Sequence, residues 1–164
     1  MSFTNKLDEI LDELRSNQVE FILVGGMAAV LHGAPIATQD LDIVHRRTPE
    51  NIDRLLHVLT KIDAIFRGQP AGRKLAPTVV ELGGRGHLNL KTRLGPLDIL
   101  CELEGDLSYE DLLPHTTVFR DGAVELRVLD LETIIKIKSA VNRAKDRLVL
   151  PILIAALKEK DSQD

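Results

Sequence analysis

Apolar residues fall along this 164-residue chain in two rhythms. Between Thr4 and Asn17, Leu7, Ile10, Leu11 and Leu14 recur at the spacing of one helix face, with Thr4 as a candidate N-cap. Phe21-Ile22-Leu23-Val24 is a continuous apolar run of the length of a buried strand. Gly25-Gly26 turns the chain into a short helical run, Met27 to His32, which Gly33 closes and which leaves His32 at the surface. After Pro35, Asp40-Leu41-Asp42-Ile43-Val44 alternates polar with apolar positions, the mark of a strand. Thr48 and Pro49 then open a helix as N-cap and first residue, with Ile52, Leu55, Leu56, Leu59 and Ile62 as its buried stripe. Strand, basic corner (His45-Arg46-Arg47) and returning helix predict a right-handed crossover.

The middle of the chain is less regular. Gly68, Pro70, Gly72 and Pro77 argue against long elements from Phe66 to Thr78. Val79-Val80-Glu81-Leu82 precedes Gly83-Gly84-Arg85-Gly86, which lacks the Lys-Ser/Thr pair and following helix of a phosphate-binding loop. His87 to Thr92 alternates cleanly, and Arg93-Leu94-Gly95-Pro96 turns it into Leu97-Asp98-Ile99-Leu100, which predicts a hairpin. Leu88 and Leu90 share one face, and His87, Asn89 and Lys91 the other. Ser108 caps a short helix from Tyr109 to Leu113, and Asp121-Gly122 turns a second hairpin. Asp130 caps a helix carrying Leu131, Ile134, Ile135, Ile137 and Val141; a last helix follows Lys145-Asp146, with Pro151 at its start or as a kink. These elements predict one α/β (α+β) domain over 1–164: a mixed sheet, helices flanking it mostly on one side, and C-terminal helices from about 130.

Composition narrows the classes. Hydrophobic residues make up 44%, enough for a core, yet aromatics are 3%, so that core is aliphatic and single-strand recognition by stacking is disfavoured. A net charge of -4 does not indicate a broadly basic nucleic-acid binder. Locally, Arg67, Arg73, Lys74, Arg85, Lys91 and Arg93 face only Glu81 within one stretch, which suits a polyphosphate or a nucleic-acid end. Cys101 is the only cysteine, sits after an apolar strand and fits a reducing cytoplasm and a place in the core. Met1 to Glu13 is polar rather than a leader, and no apolar run is long enough to span a membrane.

The chemistry gathers between Phe21 and Val44. Asp40 and Asp42 lie two apart in a strand and therefore point to one face. Two adjacent carboxylates resist joint ionisation, and a divalent cation with a taste for oxygen, Mg²⁺ or Mn²⁺, relieves that. Gly25 and Gly26 let a phosphate approach the backbone. Asp98 is a third acid on a later strand, opposite in face to Leu97 and Ile99.

A strand, Gly-Gly, a short helix and an Asp-x-Asp strand, followed by Asp98 and the leucine-rich close from Leu129-Asp130-Leu131 to Lys145-Asp146, resemble the nucleotidyltransferase superfamily. Over nearly the whole chain they resemble its small bacterial members, including those grouped with abortive-infection toxins. The resemblance implies an enzyme in which Gly25 and Gly26 hold a nucleoside triphosphate, Asp40 and Asp42 bind metal, and Asp98 helps activate an acceptor hydroxyl and touches one metal. Lys136, Lys138 or Lys145 then contact phosphates, Arg73 and Lys74 fold over them from their loop, and His87 meets the nucleotide from the cleft side of its strand. Arg46 and Arg47 are within reach of a phosphate in the same picture. The acceptor hydroxyl attacks the α-phosphate in line and pyrophosphate leaves, with metal ions stabilising the charge. Transfer RNA, a protein or a small molecule serves as acceptor, and a protein partner or homo-oligomer completes so small a chain. The alternative is a non-catalytic protein with this fold, one half of a toxin–antitoxin-like pair. A metal-dependent phosphodiester hydrolase fits less well, because the five histidines show no ligand spacing.

Overall fold

The computed structural model describes residues 6–70 and 72–163. In chain order it contains α1 (Leu7–Ser16), β1 (Phe21–Val24), α2 (Gly25–Leu31), β2 (Leu41–His45), α3 (Pro49–Lys61), β3 (Ile65–Phe66), α4 (Val79–Leu82), β4 (His87–Thr92), β5 (Gly95–Leu100), α5 (Tyr109–Leu112), β6 (Thr116–Asp121), β7 (Val124–Leu129), α6 (Leu131–Val141) and α7 (Ala144–Ser162). The strands form one seven-stranded sheet in the order β3-β4-β5-β2-β1-β7-β6. It is mixed, as expected: β2 runs parallel to β5 and β1 to β7, while the other neighbours are antiparallel.

Burial explains why these segments became these elements. All four residues of β1 are buried, which suits a strand with neighbours on both sides. In β4 only Leu88 and Leu90 are buried, so the polar alternates face outward. The buried residues of α1 are Leu7, Ile10, Leu11 and Leu14. The Thr4 cap proposed for it lies outside the described residues. Thr48 caps α3 by accepting a hydrogen bond from the Asn51 amide at 3.3 Å, with Pro49 as the first helical residue. Cys101 is buried, and burial pushes its thiol pKa up. No helix among the described residues is long and apolar enough to cross a membrane.

Several elements depart from the sequence pattern. His32 does not sit at the surface. It is buried, with Nε2 2.9 Å from the Leu129 carbonyl and Nδ1 2.6 Å from Lys160 Nζ, because the far end of α7 packs over it. Asp130 occupies the N-cap position of α6, but its carboxylate caps nothing; it accepts from the Thr117 hydroxyl at 2.6 Å. Val79–Leu82 is a helical turn, closed by a Thr78–Glu81 capping box. Of the two places expected for Pro151, it takes the interior one, inside α7. As expected, the described residues from 67 to 78 form no long element; the Phe66 amide donates to the Leu75 carbonyl, and the Gln69 side chain accepts from the Leu75 amide at 2.7 Å.

Candidate active site

Strand register assembles the acids. Val24 pairs with Asp42, Asp42 with Asp98, and Asp98 with Asn89, so these positions form one row across four adjacent strands. Directly aligned residues on neighbouring strands share a face. Asp42 and Asp98 are thus neighbours although 56 positions separate them in the chain. Asp40 lies just before β2, and its charge acts on Asp42.

Gly25 sits at the end of this row, where β1 becomes α2. Its φ is +70°, and a Cβ there would lie 2.1 Å from Asp42 Oδ2, so a side chain is excluded twice over. A Cβ on Gly26 would press on Thr38 at 2.8 Å from its hydroxyl. The glycine pair therefore brings bare backbone against the acid strand.

Beside it opens a cavity of about 380 Å³. Gly25, Gly26, Thr38, Asp42 and His87 form part of its polar wall, and Lys138, Lys145 and Asp146 come to it from α6 and α7. Ile36, Leu100, Leu103, Ile134, Ile137 and Val149 make an aliphatic wall. His87 is held there by a 3.1 Å contact between Nε2 and the Glu102 carbonyl. Asp146 is fully buried and receives Arg143 Nε at 2.9 Å, the Arg143 amide at 3.1 Å and Lys138 Nζ at 3.4 Å. Lys145 has no ion-pair or hydrogen-bond partner among the described residues and is the spare cation on this wall.

Electrostatics single out Asp42. Its pKa is raised from 3.8 to about 6, first by burial and then by the Asp40 charge, while Lys138, Arg67 and Lys145 pull it back. Asp98 differs: its carboxylate is ion-paired with the Arg67 guanidinium. Among the described residues, no three or more His, Cys, Asp or Glu side chains come together in a group that could hold a metal ion. Asp40 and Asp42, two crowded acids beside open backbone, fit a divalent cation. The third member of the expected set is turned to Arg67.

Other predicted residues lie elsewhere. Lys136 projects from α6 into a separate cavity with Leu107, Asp111 and His115, and pairs with Glu132 at 3.3 Å. Lys74 lines a third cavity with Leu56, Leu59 and Asp63, and Arg73 is exposed in the 67–78 loop. Arg46 pairs with Glu20 at 3.2 Å and Glu110 at 3.3 Å. Arg47 donates to the Gly84 carbonyl at 2.6 Å and pairs with Glu102. Arg85 and Arg93 are likewise matched, to Glu102 and Asp63, and Arg67 to Asp98, so three of the six cations in the basic stretch read from the sequence are offset by acids. Arg67 was read from the sequence only as one of a basic stretch and Asp146 only as part of the closing Lys145-Asp146 motif; neither was given a partner. Arg67 carries no local signal; for Asp146, the Arg143-to-Asp146 spacing at a helix start was a visible cue.

This combination of mixed sheet, glycine-led α2 and acid-bearing parallel strands is a nucleotidyltransferase-like fold. No family model and no curated protein matches the chain by sequence. Solved structures do match in shape. The lincosamide antibiotic adenylyltransferase LnuA, in its lincomycin-bound form, superposes with a TM-score of 0.62 at 14% identity, covering 93% of this chain and 97% of its own. A provisionally assigned nucleotidyltransferase from Thermotoga maritima gives 0.55 at 16% identity, covering 91% and 90%. JHP933 from Helicobacter pylori gives 0.52 at 16% identity, covering 94% of this chain and 65% of its own.

Proposed function

We propose that this protein is a nucleotidyltransferase that moves a nucleoside monophosphate from a nucleoside triphosphate to a hydroxyl acceptor with help from Mg²⁺ or Mn²⁺. The carrying observation is the side-by-side placement of Asp42 and Asp98 on parallel strands, with Gly25 pressed against the first. Bare backbone at Gly25 and Gly26 admits the triphosphate; α2 is only 7 residues long, so close approach matters more than its dipole. Lys145 and Lys138 supply cations to the phosphates from the facing wall. The aliphatic wall takes the base. Asp40 and Asp42, joined by Asp98 when Arg67 releases it, would hold the divalent cation, which would neutralise charge on the phosphates and the departing pyrophosphate. Asp98, once free of Arg67, accepts the proton of the attacking hydroxyl. LnuA, a lincosamide-modifying neighbour, makes a small molecule the first acceptor class to try, ahead of transfer RNA or protein.

A second reading has one observation on its side. Asp98 is paired with Arg67, and among the described residues no three-acid group forms, as a non-catalytic member of a toxin–antitoxin-like pair would tolerate. Calorimetric titration of each nucleoside triphosphate with Mg²⁺ into wild type and Asp42→Asn separates the two. The enzyme reading expects metal-dependent binding by wild type that the folded mutant loses. No binding by a folded wild type sinks it in favour of the second.

A further inference from the structure

We infer that Arg67 is the resident counter-cation of the acid row, holding Asp98 until a divalent cation and a triphosphate enter, and thereby setting how tightly the site takes metal. The inference rests on the nucleotidyl-transfer reading and adds a positioning residue to it.

Three observations carry it. First, the Arg67 guanidinium is ion-paired with Asp98, the residue in register with Asp42. Second, the same guanidinium acts electrostatically on Asp42, so one side chain serves two acids of the row. Third, Arg67 is anchored through its backbone, while its paired side chain stays partly open to solvent. Its amide donates to the carbonyl of Asn89, itself the register partner of Asp98, at 2.9 Å. Its side chain keeps 32% of its surface in solvent against 15% for Asp98, and Gly68, with φ +74°, follows it into the exposed loop.

The chemistry follows from competition. Arginine does not lose its proton under any ordinary condition, so its charge cannot be titrated away to make room for metal. A carboxylate paired to guanidinium has to exchange that partner before it ligates an ion. Each cation therefore weakens the other's hold on Asp98. A partly exposed pair is weak enough to be displaced. An entering triphosphate offers the released guanidinium a new anion, which couples nucleotide binding to metal binding.

The test is Mn²⁺ affinity without nucleotide, read from the electron paramagnetic resonance of free Mn²⁺. Removing a competing cation should tighten binding, so Arg67→Gln is expected to bind roughly five- to tenfold tighter than wild type. Arg67→Lys, which keeps a charge but loses the fork, falls between them. A non-hydrolysable triphosphate analogue should narrow the gap, because it takes up the guanidinium in wild type. Equal or weaker Mn²⁺ binding by a folded Arg67→Gln overturns the inference while leaving nucleotidyl transfer standing if wild type binds metal and nucleotide. No Mn²⁺ binding by either protein overturns both. Should Arg67→Gln fail to fold, the Arg67 Nε–H resonance of wild type decides: a shift on Mg²⁺ titration supports displacement, and an unmoved signal at saturation rejects it.

Discussion

Two aspartates line the same cavity and carry opposite electrostatic characters. Asp42, on β2, has its pKa raised to about 6 by burial and by Asp40. Asp146, near the start of α7, is fully buried, and burial pushes its pKa up too; yet Arg143 hydrogen bonds and the Lys138 charge outweigh that and leave it lowered. Desolvation acts on both, so burial alone does not decide. The partner decides: Asp146 has two cations within 3.4 Å, whereas the first charged neighbour of Asp42 is another acid. One is a finished ion-pair cluster that joins α6 to α7. The other is a surplus of negative charge beside open backbone, and surplus charge of that kind is what a ligand cation would relieve.

Replacing each by asparagine should therefore have opposite effects. Asp42→Asn should cut nucleotidyl transfer by about a thousandfold, on the scale of losing a key electrostatic group in a catalytic site. The metal-free mutant should nonetheless be more stable at pH 7, by up to about 3 kcal/mol, the free-energy equivalent of the two-unit shift. The sign follows from linkage. Because the folded pKa is raised, the native state binds more protons between 3.8 and about 6, and wild-type stability falls as pH rises through that window. Urea melts of metal-free protein across that range should show the decline in wild type and a flatter profile in Asp42→Asn. A mutant less stable than wild type at pH 7 would break the comparison.

Asp146→Asn should behave the other way. It removes a buried anion and leaves Lys138 and Arg143 facing a neutral group, at a cost of roughly 2–3 kcal/mol. Its folded pKa is lowered, so its stabilisation is present above the unfolded value and is lost as pH falls through the folded one. Denaturant melts at neutral pH measure the loss directly. Nucleotide affinity should fall as well, since Lys138 on the cavity wall loses its support.

The contrast also marks what the sequence could reveal. Asp40, Asp42 and Asp98 were legible because alternation with Leu41, Ile43, Leu97 and Ile99 is a local pattern, and strand geometry turns it into a common face. The hairpins and α3 were legible for the same reason: Asp121-Gly122 and Thr48-Pro49 are signals read within a few residues. Pairings between distant segments were not. Nothing around Arg67 says that it will meet Asp98 from 31 positions away, and nothing around His32 says that Lys160 will cover it from 128 positions away. The turn at α4 is a different case. Thr78 and Glu81 spell a capping box in plain sequence, but the β-branched Val79 and Val80 between them favour a strand.

His32 sharpens the comparison from the far end of α7, with the smallest expected effect. Its pKa is lowered, first by burial, and Lys160 adds to that, while the Leu129 carbonyl and Asp130 oppose it. A histidine held neutral contributes stability that is present above its unfolded pKa of 6.5 and is lost as pH falls through the folded value. Buried His45, also lowered, acts in the same direction, so His32→Gln should remove only part of the acid-side slope. At pH 8 the same substitution should cost about 1 kcal/mol for the weakened contacts to Leu129 and Lys160. Asp146 fixes α7 where it enters the cavity wall, and His32 only pins its tail, so His32→Gln should leave metal-dependent nucleotide binding unchanged in the calorimeter. A loss of affinity as large as that of Asp146→Asn would mean that α7 positions Lys145 as one rigid rod rather than from its first turn.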